Sequence, residues 1–236
     1  MFSKFSNLTG PISSFGSSTS SLPQNQPGSY RFGQNNITPR YISISASNDF
    51  AFGANDFTIE WFQYQTQASP PYYSRVFQVG NWSDHSIAVS IENGKFLLWI
   101  NAGTTYYVNL SLSNYLNKWV HFAISRESGQ VSVWKDGTRI WNGNIPNSVT
   151  NNTDNLQIGY GSDNVWNGYI TNFRLVTEVS VYDTSSTTIT VPTSALTNII
   201  GTKLLLLFDK NKLIDSSSYN RHIVNNGATW NSLTPF

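Results

Sequence analysis

The sequence predicts an all-β protein, a two-sheet antiparallel jelly-roll sandwich with an extended N-terminal arm. Turn signals recur every 8–12 residues, short segments alternate apolar with polar, and no window of 11 or more residues carries helical periodicity. Residues 1–29 read as the arm and residues 30–236 as one sandwich of about twelve strands.

The arm is rich in Ser, Gly and Pro, with a serine cluster from Ser13 to Ser21. It cannot bury enough of itself to offset its ordering entropy, so it is expected to be held by the domain or by a neighbouring chain. Beyond it, Tyr41 to Ser45 alternates apolar with polar. Phe57 to Phe62 starts by alternating and then becomes apolar on both faces, as a strand covered on both sides does. Ile87–Ile91 and Phe96–Ile100 flank Asn93-Gly94, the pair favoured by the left-handed torsions of a type I′ hairpin turn. Trp119–Ser125, Val131–Trp134 and Thr138–Trp141 form a meander through Ser128-Gly129 and Asp136-Gly137. Leu156–Gly159, Tyr169–Val176, Lys203–Phe208 and His222–Val224 complete the predicted strands.

Composition narrows the function. Charged residues are 11% of the 236 and the net charge is +1, so there is no electrostatic footprint for duplex nucleic acid or an anionic membrane. Ser, Thr and Asn make up a third of the chain, which gives a polar but mostly uncharged surface. The absence of cysteine removes disulfides, thiolate metal sites and cysteine nucleophiles. No basic start followed by an apolar stretch marks a secretory signal, and the longest aliphatic run, Leu204 to Phe208, is far short of the ~20 residues that span a bilayer.

Four stretches resemble the concanavalin A-like lectin/glucanase superfamily in its laminin-G-like branch. They are Tyr41–Ile44 with Asp56–Phe62; Trp119-Val120-His121-Phe122-Ala123 through Gly137; Leu156–Gly159 followed by Gly168–Arg174; and Leu204–Phe208 followed by Ile214–Ser217. The last is similar to the module as it occurs in phage and large-virus proteins. The resemblance implies that Phe57, Ile59, Trp61, Trp119, Phe122, Ile158, Ile170 and Phe173 fill the ~10 Å between facing sheets. Gly159 and Gly168 are expected where strands bend or backbones approach closely. Glu60 and Arg174 are expected to form a partly buried structural ion pair.

Glycosidases of this superfamily place two carboxylates on one strand as acid and nucleophile. The four Glu here (Glu60, Glu92, Glu127 and Glu178) have no acidic residue two positions on, and the three His lie far apart without metal-ligand spacing. The chain is therefore read as non-enzymatic, with no cofactor.

Two roles follow. In the first, the protein is a virion component (minor capsid, decoration or tail-associated), made in a host cytosol and present in many copies. Phe2, Phe5, Leu8, Ile12 and Phe15 would anchor its arm in other virion proteins. In the second, it is a carbohydrate-binding adhesin module recognising host glycans. Tyr72, Tyr73, Trp82, Tyr106, Tyr107, Asn109, Tyr160 and Trp166 would be its ligand residues, and Asp154, Asn155, Asp163 and Asn164 weak candidates for calcium.

Overall fold

A computed structural model describes residues 26–34, 38–70, 72–81, 85–150, 154–161, 164–210 and 212–236; the arm anchors lie outside them. The strands are β1 (Ser29–Gln34), β2 (Pro39–Ile44), β3 (Phe57–Gln65), β4 (Ser74–Gly80), β5 (His85–Glu92), β6 (Lys95–Ala102), β7 (Thr104–Ser111) and β8 (Trp119–Glu127). They continue with β9 (Gln130–Lys135), β10 (Thr138–Asn144), β11 (Leu156–Ile158), β12 (Asn164–Val165), β13 (Gly168–Thr177), β14 (Thr202–Leu206), β15 (Ile223–Asn226) and β16 (Thr229–Asn231). Sheet I runs β10-β9-β8-β3-β13, then continues through β1 to β16, with β14 beside the second half of β13. Sheet II runs β7-β6-β5-β4-β11-β2-β15, with β12 parallel to the start of β4. The two are joined at one corner, where Gly33 pairs with Arg40 in the β1–β2 connection.

Strand register shows why this sequence chooses this fold. Along β3, Phe57, Ile59 and Trp61 point inward; Phe96, Leu98 and Ile100 do the same on β6, and all six are buried. Their rings make a continuous stack between the sheets: Phe96 lies 5.3 Å from Phe122, Phe122 5.5 Å from Trp61, Trp61 5.2 Å from Phe77, and Phe77 5.3 Å from Phe173. Such pairs contribute roughly 0.5–1.5 kcal/mol each beyond their burial. Trp119 departs from expectation. It has the opposite parity to Val120 and Phe122, so it stands on the outer face against Tyr64.

The hairpin tips follow the predicted chemistry. Asn93 and Gly94 have φ of 46° and 73°, and Asp136 and Gly137 48° and 78°, the two successive left-handed residues of a type I′ turn. Gly159 meets its expected close approach: a Cβ there would lie 2.3 Å from the Phe32 ring.

The outer face of sheet I is covered. The segment 178–201, which contains no strand, crosses it as a strap. Val181 N–H donates to Thr58 Oγ1 (2.9 Å), Ser132 Oγ–H to Thr184 O (2.7 Å) and Trp134 Nε1–H to Ser186 O (3.2 Å). Beneath the strap lies Glu60, which is 0% exposed. Its Oε1 accepts from Arg174 Nε (3.0 Å) and Nη2 (2.5 Å), and its Oε2 from the Tyr182 hydroxyl (2.8 Å) and His121 Nε2 (3.3 Å). Arg174 Nη1 also donates to Thr197 O, so one carboxylate ties β3, β8 and β13 to both halves of the strap. The expected ion pair is present, and it is fully rather than partly buried.

Burial alone would raise the Glu60 pKa; the His121 hydrogen bond and the Arg174 charge outweigh it and hold the carboxyl below its ordinary range. Burial, then the Glu60 charge, push the Tyr182 phenol far above its ordinary value, so it stays a donor.

Removing Glu60 leaves a buried guanidinium without its counter-charge. Glu60→Gln should therefore lower the unfolding free energy by about 3–5 kcal/mol in urea titrations. A carboxyl with a depressed folded pKa stabilises above its unfolded value, about pH 4.3, and loses that contribution as pH falls through the folded value. Wild-type stability should thus drop on acidification below that pH, and the Glu60-dependent difference between the two proteins should shrink there. An unchanged difference at low pH would contradict the assignment.

Candidate functional site

With sheet I strapped, functional side chains that share a face are found on the outer side of sheet II. Antiparallel pairing puts paired residues on the same face. One row therefore runs Ser43, Gln157, Gln78, Ala88, Trp99, Tyr107, and the next includes Arg75, Ser90, Leu97 and Asn109. Trp99 and Tyr107 are directly paired, with ring centroids 5.2 Å apart. Tyr73 lies 6.1 Å from Trp99, and Tyr72 6.5 Å from Tyr73. These tyrosines are among the more exposed aromatic residues of the chain: Tyr72 67%, Tyr73 47% and Tyr107 51%.

The patch is held in place from beneath. The Arg75 guanidinium lies 4.4 Å from the Trp99 ring centroid and 5.5 Å from that of Tyr73, and its Nη1 donates to Ser90 Oγ (2.9 Å). Tyr73 adopts φ 58°, a left-handed conformation that costs a non-glycine residue roughly 1–2 kcal/mol. Its N–H donates to the Glu92 carboxylate, and Asn164 Nδ2 donates to Tyr72 O (2.6 Å), so the 72–73 turn is fastened on both sides. Asn109 Nδ2 donates to the Tyr107 hydroxyl (3.2 Å). Burial, partly opposed by that hydrogen bond, raises the Tyr107 pKa and keeps the hydroxyl protonated.

Chemically, the patch offers aromatic faces at several angles, ringed by phenol hydroxyls, an amide and one carboxylate. It is open rather than enclosed. A hydroxyl- and amide-lined hollow of Asn101, Gly103, Thr104, Thr105 and Thr150 continues it along β6 and β7.

Of the residues singled out from sequence, Tyr72, Tyr73, Tyr107 and Asn109 converge here. Tyr106 does not: strand alternation turns it toward the core, against which it packs. Tyr160 packs on Tyr41 of β2 (5.2 Å), four strands or about 19 Å from β6. Trp166 is 0% exposed and its indole N–H donates to Gln65 Oε1 (3.1 Å), so it is a core residue and no ligand platform. Trp82 and Asp163 lie outside the described residues.

The calcium candidates do not form one site. Asn155 sits beside Gly80 and Asn164 pairs with Ser74, at opposite ends of β4, roughly 20 Å apart. Asn155 Oδ1 accepts from Ala46 N–H, and Asp154 accepts from Asn81 Nδ2. Among the described residues no three His, Asp or Glu cluster as metal ligands.

Trp99, Arg75 and Glu92 were missed. The signal for Trp99 was present: counting from the Asn93-Gly94 turn, Phe96, Leu98 and Ile100 share one face, which puts Trp99 on the other. The unbroken apolar run hid that alternation.

Comparison with known proteins agrees with this architecture. A putative carbohydrate binding protein from Bacteroides ovatus ATCC 8483 superposes with a TM-score of 0.62 at 16% identity, over 89% of this chain and 61% of that one. Domains LG4-5 of the mouse laminin alpha1 chain superpose with a TM-score of 0.50 at 16% identity, over 66% of this chain and 42% of that one. The present chain thus spans less than two thirds of either. No curated protein matches it. The family model for the concanavalin A-like lectin/glucanases superfamily, in its laminin G form, matches residues 38–188. The chain belongs to that superfamily.

Proposed function

We propose that the protein is a non-catalytic carbohydrate-binding module whose ligand lies across Tyr73, Trp99 and Tyr107 on the outer face of sheet II. The observation that carries this reading is the grouping of three aromatic rings from a turn and two strands at the solvent-reaching end of that face. Sugar rings present apolar C–H faces that stack on such rings, while their hydroxyls need donors and acceptors of the kind Asn109, Tyr107 and Glu92 supply. Among the described residues Glu92 is the one carboxylate hydrogen-bonded into the patch, whereas glycoside hydrolysis needs two acting together across the bond. The similarity to a putative carbohydrate binding protein is in keeping with this role.

A place in a virion is a compatible setting and rests on the resemblance of the tail motif and on the apolar anchors expected in the arm. That motif has a structural role of its own: Asp215 accepts from the N–H groups of Leu205, Ser217 and Arg221 and from the Ser217 hydroxyl.

On a glycan array, the wild-type protein should bind a defined set of neutral oligosaccharides. Trp99→Ala and Tyr107→Ala should each weaken the best hit by about tenfold or more, from the loss of one stacking surface; the exposed Tyr107 can be removed with the melting temperature little changed, whereas removing Trp99 also uncovers Arg75 and should lower it. Chelating calcium should leave binding intact. Trp166→Ala should instead cost about 3–5 kcal/mol of stability. A blank array, or binding untouched by both patch variants, would remove the proposal.

A further inference from the structure

Each sheet ends in strands whose outward N–H and C=O groups need an answer, because an unanswered edge is a template for another chain. Most edges here are answered. β10 carries a bulge between Arg139 and Trp141, and the strap caps its start: Arg139 N–H donates to Thr187 O and Ile189 N–H to Gly137 O, both 2.8 Å. β14 is closed by the following loop, with Leu205 N–H on Asp215 Oδ1 (3.0 Å) and Ser216 N–H on Leu205 O (2.7 Å). β15 and β16 are only four and three residues long.

β7 has none of these devices. It is eight residues long, Thr-Thr-Tyr-Tyr-Val-Asn-Leu-Ser, with no charge and no proline. Its pairing with β6 runs without a shift from Lys95↔Ser111 to Ala102↔Thr104. Among the described residues, no backbone group of β7 bonds outside that ladder.

We infer that β7 is an association edge, pairing antiparallel with β7 of a second copy about a two-fold axis at Val108. The strand's own sequence argues for this occupant. A two-fold pairing must match residues of the same face, and one centred on Val108 pairs residues 105 to 111 of the two copies with no charge among them. On the outer face Thr105 meets Ser111 of the second copy, and Tyr107 meets Asn109, repeating across the interface the amide-to-phenol contact already made within the strand. On the inner face Tyr106 meets Leu110, and these half-buried side chains cover one another where the core now stops. With a net charge of +1, two copies repel little. The surface shared by two eight-residue strands is at the small end of specific interfaces, so the dimer is weak and concentration-dependent. The inference is independent of the carbohydrate reading.

Sedimentation velocity over a concentration series tests it. Wild type should pass from monomer to dimer, and Thr105→Lys with Ser111→Lys, which places like charges opposite twice per dimer, should weaken association roughly tenfold. Thr105→Lys with Ser111→Glu should restore it. Circular dichroism melts check that each variant folds. As the chain has no cysteine, Val108→Cys introduces a single thiol, and mild oxidation should link two copies through it because residues facing each other on adjacent strands lie within disulfide reach. Monomer at every concentration, association that ignores the charges at 105 and 111, or capture of unrelated extended peptides in place of a second copy would each overturn the inference.

Discussion

The buried carboxylate of Glu60 decides which face of this sandwich is available. A charge removed from water costs several kcal/mol unless it is fully paired, and here four donors from three different elements satisfy it. Two of those elements are strands of sheet I and the third is the strap. The strap therefore completes the coordination of Glu60 through Tyr182 and accepts from Arg174 through Thr197. Lifting it would strand a carboxylate and a guanidinium together. Sheet I is in this way committed to burial on both sides, and on the outer face of sheet II, where Gln78, Ala88, Ser90 and Leu97 are buried, it is the 72–73 turn with Tyr107 and Asn109 of β7 that reaches solvent.

Much of this was legible in the sequence, and the reasons are local. Type I′ turns require left-handed residues, so Asn93-Gly94 and Asp136-Gly137 fixed two hairpins before any packing was known. The doubly apolar end of Phe57–Phe62 anticipated a strand covered on both sides, although the covering element, an irregular run of Ser, Thr and Val, has no periodicity to read. β4 and β7 were not picked out as strands. β4 is buried along its whole length and β7 is a mixed edge, so neither alternates cleanly.

The site was half legible. Tyrosines at 72, 73 and 107 stood out because aromatic residues among Asn and Ser attract attention. Their convergence depends on register, which composition does not carry. Tyr106 and Tyr107 look interchangeable in sequence, and only the parity of β7 turns one inward and the other outward. Trp166 illustrates the opposite error. It lies in an Asn- and Gly-rich stretch that reads as an exposed loop, yet Gly168 leaves room for its indole, where a Cβ would sit 2.4 Å from the ring.

Low charge ties these features together. Tyr107 belongs at once to the aromatic patch, through Trp99, and to the outermost strand, so the patch and the free edge share a residue. A neutral edge strand lacks the lysines with which proteins commonly block edge pairing. The same neutrality keeps the face beside it compatible with uncharged hydroxyl-bearing ligands, whose recognition depends on stacking and hydrogen bonds rather than on charge. A charge placed on the outward positions Thr105 or Asn109 of β7 would stand two residues from Tyr107 and hydrate the aromatic surface beside it. The edge and the aromatic face thus draw on one property of β7: eight residues without a charge leave its backbone open to pairing and its outward side chains open to uncharged partners.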